Sequence, residues 1–166
     1  MSVEPTGQIS RDGERLVLTI TREFKAPIED VWAAVTESER LGRWIGTFTG
    51  DPASGHVAFL MTAEGATEPE DMEIRECDPP QVLRVTSHVG EDQWHLDLTL
   101  DEHDGVTTLT FVQPGIDAVA AESVGPGWEY YLDRLVAAET GGDVEAIDFE
   151  RDYYPAMQEH YRSQAG

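Results

Sequence analysis

The feature that most constrains the fold is one amphipathic stretch near the C-terminus, residues 125–139. Its apolar side chains recur at the spacing that lines one face of an α-helix. They are Trp128, Tyr131, Leu132, Leu135 and Val136, while Glu129, Asp133 and Arg134 fall on the other faces. Pro126 falls in the predicted first turn, where proline is tolerated, and Gly141-Gly142 ends the helix after Thr140. We therefore predict one long helix, with 125–127 as a hinge, and expect the other elements to close around it.

The residues before this helix alternate mostly with a period of two, which is typical of β-strands with one buried face. Predicted strands cover 14–24, 47–49, 56–62, 71–77, 81–89, 93–100 and 106–113. Turn residues separate the strands, and strands joined by short turns are antiparallel neighbours. Two short helices are predicted between the first two strands, one opening at Ala26-Pro27 and one ending at Gly46. The pattern predicts an α+β fold in which helices cover one face of an antiparallel sheet.

We predict three segments along the chain. Residues 1–13 are polar and read as a flexible lead-in, residues 14–140 form the folded domain, and residues 141–166 form an appendage docked on it. The last segment contains too many aromatic residues for a free tail, and we expect Pro155 to begin a short terminal helix.

Composition excludes several classes of partner. The chain has 33 acidic and 11 basic residues, for a net charge of −22, so nucleic acids and anionic membrane surfaces would be repelled. No apolar run reaches the ~18 residues that a membrane helix needs, and no signal peptide is recognisable. Cys77 is the single cysteine, which excludes an intrachain disulfide, and we expect it to be a buried, inert thiol. These observations predict a cytoplasmic protein.

Four segments resemble a known family, and the likeness as a whole covers about residues 14–140. They are Arg22 to Trp32, Leu41-Gly42-Arg43-Trp44, Glu76 to Thr86, and Gly127 to Leu135. This order is similar to the START-like (SRPBCC) superfamily, and more narrowly to homologues of the activator of the heat-shock chaperone ATPase. The resemblance implies a helix-grip fold, in which a curved antiparallel sheet of about six to seven strands wraps around a long C-terminal helix. Gln113 stands where members of the family often carry histidine.

The resemblance also implies an elongated cavity between the sheet and the long helix. Nine large apolar residues and one carboxylate are the candidates for its lining: Trp44, Phe48, Phe59, Met61, Met72, Glu76, Trp94, Phe111, Trp128 and Tyr131. Glu73 and Glu76 fall on opposite faces of one strand, so only one of them can point inward, and Glu76 is the better candidate because the resembling segment contains it. Two alternatives stay open: the apolar side chains simply fill the space, or Glu76 pairs with Arg75 or Arg84.

The sequence offers no recognisable catalytic centre. It has no Gly-x-Ser-x-Gly elbow and no Cys and His at an informative spacing. His88, His95 and Asp97 form a conceivable set of metal ligands, but strand alternation places His95 and Asp97 on the solvent face. We therefore predict no catalytic residues, no metal and no cofactor.

Three functions follow as hypotheses. We favour non-enzymatic binding or sensing of a small, largely apolar molecule in the cavity. The family name suggests a module that interacts with a chaperone, and other members of the superfamily suggest an aromatase/cyclase-type enzyme acting on a polyketide-like substrate. The sequence leaves open a chaperone partner and a homodimer.

Overall fold

The computed structural model describes residues 3–89 and 92–165, although not the side chains of Val89 and Asp92. Eight strands alternate with turns and short helices before the long helix. The strands are β1 (Gln8–Asp12), β2 (Arg15–Phe24), β3 (Thr47–Thr49), β4 (His56–Leu60), β5 (Glu70–Asp78), β6 (Val82–Val89), β7 (Asp92–His103) and β8 (Val106–Ile116). The helices are α1 (Ile28–Thr36), α2 (Ser38–Leu41), α3 (Ala118–Thr140), α4 (Phe149–Asp152) and α5 (Gln158–Ala165).

The strands form a single antiparallel sheet in the order β1-β2-β8-β7-β6-β5-β4-β3. This confirms the predicted α+β helix-grip architecture, with one more strand than the upper prediction. The additional strand is β1, which pairs with β2 from Gln8 opposite Thr19 to Asp12 opposite Arg15. It lies in the segment that we expected to be a loose lead-in, where Ile9 is the only large apolar residue of the strand. So short and polar a strand has no alternating pattern, and it was therefore not predicted.

The core lies between the sheet and α3. Alternate residues of β2 and β8 are buried, including Leu18, Ile20 and Phe111, and they meet Leu132 and Leu135 of α3. This is the single buried face that strand alternation predicts. Within the described residues, the model contains no helix that is both long and apolar enough to cross a membrane.

The long helix begins seven residues earlier than we predicted. Asp117 caps it by accepting a 2.7 Å hydrogen bond from the Ala120 N–H, and Gly141 ends it in the left-handed conformation. Pro126 therefore lies inside a continuous helix, and the prediction that 125–127 is a hinge at its start is wrong. An interior proline removes one backbone hydrogen bond of the helix. Both Gly125 and Pro126 are buried, so this irregular turn lies against other parts of the protein.

The C-terminal segment packs against α3, and its helix α5 also contacts β1. Tyr153, Met157 and Tyr161 are almost completely buried. A Cβ on Gly125 would lie 2.6 Å from ring atoms of Tyr161, so only glycine allows α5 to approach α3 this closely. The terminal helix begins at Gln158, three residues after Pro155, and the prediction that Pro155 opens it is wrong. The division of the chain into lead-in, domain and appendage stays a prediction.

Candidate ligand cavity

A cavity of about 170 Å³ lies between the inner face of the sheet and helices α1, α2 and α3. Its lining is almost entirely apolar. The helical side contributes Val35, Thr36, Leu41, Trp44, Ile45, Trp128 and Leu132; the sheet and its loops contribute Phe48, Pro52, Val57, Phe59, Met72, Ile74, Cys77, Leu83, Val85, Leu96, Leu98 and Phe111.

Strand register builds the floor of the cavity from rows of cross-strand neighbours. One row runs from Cys77 through Leu83 and Leu98 to Phe111, and each of these residues is paired with the next across the sheet. A parallel row joins Ile74, Val85 and Leu96. Since side chains opposite one another in adjacent strands point to the same face, these residues form a continuous apolar surface.

Helix α3 closes the opposite side with Trp128 and Leu132, which lie one helical turn apart. The Trp128 ring lies 4.4 Å from the Phe111 ring and 5.9 Å from the Tyr131 ring, centroid to centroid. Its indole N–H donates a 2.8 Å hydrogen bond to Oε1 of the buried Gln113. The side chain is therefore held in one orientation by contact with the two tilted rings and by the hydrogen bond to an amide acceptor.

The structure brings six of the ten predicted lining residues together around the cavity: Trp44, Phe48, Phe59, Met72, Phe111 and Trp128. The other four lie elsewhere. Met61 and Trp94 are half-buried against the hydrophobic core, and Tyr131 is buried in it. The Tyr131 hydroxyl donates to the Glu64 carboxylate, which ties α3 to the turn after β4. Burial, together with this carboxylate, raises the pKa of Tyr131, so the hydroxyl remains a hydrogen-bond donor.

Glu76 lies on the outer face of the sheet because β5 carries a bulge. The register between β5 and β6 shifts between Ile74 and Glu76, so that Arg75 is the additional residue. An inserted residue reverses the alternation, and therefore Ile74 and Cys77 line the cavity while Glu76 does not. Glu76 instead lies opposite Arg84, 3.3 Å from its guanidinium. This is the alternative pairing of the sequence analysis, although both side chains are largely exposed.

The aliphatic part of the lining and the exposure of Cys77 both differ from what the sequence predicted. Leu83, Val85, Leu96 and Leu98 follow the period-two pattern, so alternation alone was a sufficient signal, but the predicted lining was restricted to aromatic residues, methionines and Glu76. Cys77 is exposed rather than buried, although it lines the cavity. The prediction of a buried thiol is therefore wrong, because residues 75–79, at the end of β5 and in the turn after it, are all exposed.

The polar atoms of the lining are already engaged within the protein. The Trp44 indole N–H donates to the Ala34 carbonyl over 3.1 Å, and the Thr36 hydroxyl donates to the Trp32 carbonyl over 2.7 Å. With Trp128 bonded to Gln113, the described lining offers only the Cys77 thiol as an uncommitted polar group. No carboxylate, histidine or basic side chain of the described residues lines the cavity.

Two arginines hold the α1–α2 segment over the cavity. The buried Arg134 donates from Nε to the Trp44 carbonyl over 2.9 Å, and its guanidinium lies 5.4 Å from the centre of the Tyr130 ring. Arg40 of α2 pairs with Glu139 near the end of α3. Burial lowers the pKa of Arg40, but this carboxylate outweighs it and leaves the pKa above its ordinary value. Both contacts fix the helical side of the cavity to α3.

The histidines and carboxylates that we considered as metal ligands lie on the outer face of the sheet. His95 lies opposite Thr86 and 2.9 Å from its hydroxyl, whereas His88 lies opposite Gln93 and 3.8 Å from the Asp71 carboxylate. Asp97 accepts from Arg75 over 2.9 Å. These three residues do not converge, and the part of the chain that the structure describes contains no group of three or more His, Cys, Asp or Glu suited to a metal ion.

Comparison with known families gives one match. The model of the family described as "Activator of Hsp90 ATPase homolog 1-like protein" matches residues 25–139. This confirms the resemblance noted in the sequence, because the matched range contains almost all of the segments that carry it. None of the curated proteins matches the chain.

Solved structures share the fold at low sequence identity. CalU16 from Micromonospora echinospora is 23% identical with a TM-score of 0.71, over 98% of this chain and 97% of CalU16. EF2215 from Enterococcus faecalis is 19% identical with a TM-score of 0.72, over 95% of this chain and 89% of EF2215. DynU16, a protein of the dynemicin biosynthetic locus, is 22% identical with a TM-score of 0.58, over 77% of this chain and 49% of DynU16. At these identities the similarity concerns the fold alone.

Proposed function

Because the chain belongs to the family of Activator of Hsp90 ATPase homolog 1-like proteins, we propose that it binds or senses a small, largely apolar molecule between the sheet and α3. The protein carries out no covalent chemistry in this proposal. The observation that carries it is the chemistry of the cavity wall, which is almost entirely apolar and in which Thr36, Trp44 and Trp128 already donate to protein acceptors.

The size of the cavity is suited to such a ligand. An apolar cavity of about 150 Å³ stays free of water and binds benzene in a well-studied engineered protein. The cavity described above, at about 170 Å³, falls in the same range. A ligand that buries about 200 Å² of apolar surface gains about 5 kcal/mol at 25 cal/mol per Å². The translational and rotational freedom that the ligand loses on binding offsets part of this gain, so the affinity is smaller than the buried area alone implies.

Native mass spectrometry of the freshly purified protein, compared with its denatured mass, is the first test. A bound small molecule that is released on denaturation supports the proposal, and its mass begins its identification. Thermal denaturation with a panel of small aromatic and aliphatic compounds provides the second measurement, because a ligand that binds only the folded state raises the Tm.

Two variants, one inside the cavity and one on the opposite face of the sheet, test whether the ligand binds in the cavity. Leu98→Phe adds bulk to the cavity floor, whereas Val112→Phe places the same new side chain on the opposite face of the sheet, since Val112 lies next to the inward Phe111. The proposal requires Leu98→Phe to weaken uptake while Val112→Phe leaves it unchanged. Equal effects of the two variants, or no ligand and no Tm shift with any compound, would refute it.

A chaperone-interacting module is the second candidate, and the family match is the observation that favours it. Stimulation of ATP turnover by the chaperone on adding this protein is its test. The cyclase-type alternative requires an inward titratable residue. The one carboxylate that we considered for that role, Glu76, faces the outside of the sheet.

A further inference from the structure

We infer that the ligand is a neutral molecule with one carbonyl oxygen, and that this oxygen accepts a hydrogen bond from the side-chain amide of Gln113. This inference rests on the proposed function and adds the polar group by which the cavity recognises its ligand. Three features of the described residues carry it: the burial of Gln113 on the inner face of the sheet, its single hydrogen bond, and its place beside the cavity wall.

Gln113 is a polar side chain on the apolar face of β8. Residues two apart in a strand share a face, and Leu109 and Phe111, which precede Gln113 on this face, are both buried in the core. Gln113 itself is only 1% exposed. Its amide is therefore almost cut off from water, and each of its polar atoms needs a partner other than bulk solvent.

Only one half of this amide has a partner in the protein. Oε1 accepts the 2.8 Å hydrogen bond from the Trp128 indole N–H, whereas Nε2 donates to no acceptor among the described residues. The completely enclosed side-chain atoms that lack a partner there are Arg40 Nε and Glu139 Oε2. Since Nε2 is unbonded but not completely enclosed, the small accessible part of Gln113 includes this donor.

The free donor lies beside the cavity. Phe111, two residues before Gln113 on the same face of β8, forms part of the cavity wall, and so does Trp128, which is bonded to Oε1. Both polar atoms of an amide belong to one small planar group. A ligand oxygen at the usual distance of about 2.9 Å from Nε2 therefore adjoins the Trp128 ring and the space that this ring lines.

The chemistry of the donor selects the class of ligand. An amide nitrogen can only donate, so its partner must be an acceptor. A carboxylate would lose its hydration in exchange for one uncharged donor, and the cost of burying its charge exceeds that gain. A neutral carbonyl oxygen on an apolar body meets both the donor and the apolar wall, so we expect a ketone or an ester rather than an acid or a pure hydrocarbon.

Two probes of nearly identical shape test for the hydrogen bond. Acetophenone and α-methylstyrene differ only in the replacement of C=O by C=CH₂, so their apolar contacts with the cavity are nearly the same. We would measure both Kd values by calorimetry. Removal of the Gln113 donor is expected to weaken acetophenone relative to α-methylstyrene by about three- to ten-fold, the size of one hydrogen bond between uncharged groups.

Variants in a Trp128→Phe background isolate the contribution of Gln113. This background removes the indole N–H, which Gln113→Leu would otherwise leave free to donate to the ketone. The ratio of the two Kd values is compared between Trp128→Phe and Trp128→Phe/Gln113→Leu. Thr110→Val in the same background is the matched control, because Thr110 lies between the inward Leu109 and Phe111 and faces the outside of the sheet. It should leave the ratio unchanged.

The carbonyl stretch of bound acetophenone reports the hydrogen bond in the unmodified protein. Infrared difference spectra with acetophenone labelled at the carbonyl carbon should place this band at a lower frequency than in an alkane, because a donor at the oxygen weakens the C=O bond. In Trp128→Phe/Gln113→Leu the band should return towards its frequency in the alkane. A carbonyl that faces water instead of Gln113 would keep the lower frequency in this variant.

The outcomes separate this inference from the function on which it rests. The inference is overturned, while ligand binding stands, if the band of the wild-type complex lies at the alkane frequency or if Gln113→Leu leaves the ratio unchanged. An equal change of the ratio in Thr110→Val overturns it as well. If neither probe binds and no compound of the panel shifts the Tm, the proposed function and this inference fall together.

Discussion

Glu129 should contribute more to stability than any other charged residue that the structure describes. Its side chain is completely buried on α3 and accepts hydrogen bonds at both oxygens. Oε2 accepts from the backbone N–H groups of Thr6 (2.7 Å) and Gly7 (3.2 Å) and from the Tyr161 hydroxyl (2.7 Å). Oε1 accepts from the Thr6 hydroxyl and from the Arg22 guanidinium at 3.0 Å. One carboxylate thus joins the N-terminal segment, β2, α3 and α5.

The substitution Glu129→Gln tests this arrangement with little change of shape. The amide N–H₂ must lie either beside three donors or beside the Arg22 guanidinium, so at least one buried donor loses its acceptor. Removing one partner of a buried ion pair costs about 3 to 5 kcal/mol. For a domain of this size, that loss lowers the Tm by about 10 °C. Urea denaturation and calorimetry measure both quantities.

The matched control is Asp133→Asn. Asp133 pairs with the same arginine over 3.0 Å and accepts from the Tyr153 hydroxyl, but its side chain is 26% exposed. Water can replace part of the hydrogen bonding that Asp133→Asn removes, so we expect the free energy of unfolding to fall by about 1 to 2 kcal/mol. A loss below about 1 kcal/mol for Glu129→Gln, or a larger loss for Asp133→Asn, would refute the reasoning.

The same contacts predict a pH dependence. Burial raises the pKa of Glu129, but the hydrogen bonds from Thr6, Tyr161, Arg22 and the Gly7 backbone outweigh burial and leave the pKa below its ordinary value of 4.5. The unfolded chain therefore binds the proton more readily, and the contribution of Glu129 is complete above pH 4.5 and is lost as the pH falls through the folded-state pKa. The difference in stability between wild type and Glu129→Gln should narrow on acidification. A constant difference down to about pH 3 would contradict this explanation.

Three further predictions concern α3 and the cavity. Gly125→Ala should destabilise the protein by about 1 to 3 kcal/mol, because the new Cβ meets the ring of Tyr161 on α5. Gly127→Ala should stabilise it by about 0.5 to 1 kcal/mol, because nothing lies within 4 Å of a Cβ at that position. Urea denaturation measures both changes in the free energy of unfolding. Gln113→Leu should cost about 1 to 3 kcal/mol by leaving the Trp128 indole N–H unpaired, and less in a Trp128→Phe background. Cys77 should react rapidly with a thiol reagent, and more slowly when the cavity holds a ligand.

The sequence alone was sufficient to predict the architecture. The apolar spacing on α3 and the alternation on β6, β7 and β8 are patterns among residues a few positions apart. Such patterns can be recognised from the sequence, because each one shows which side chains of an element share a buried face. The start of α3 was predicted wrongly because the local pattern there is weak. Residues 118–124 have no wide apolar stripe, and Pro126 is a common first-turn residue, so the local pattern favoured a later start. The capping by Asp117 and the packing of Gly125 on Tyr161 were not visible in that pattern.

The tertiary structure decided which polar groups are buried and which line the cavity. A one-residue bulge at Arg75 turns Glu76 outward and Cys77 inward, although the alternation of β5 predicts the reverse for Glu76. Glu129 lies away from the apolar stripe of α3, where the sequence predicts no contact with the core, yet Thr6 and Tyr161 enclose it from the two ends of the chain. Periodicity reports which residues of one element share a face. Whether that face meets water, a distant segment or a ligand depends on contacts between residues far apart in sequence.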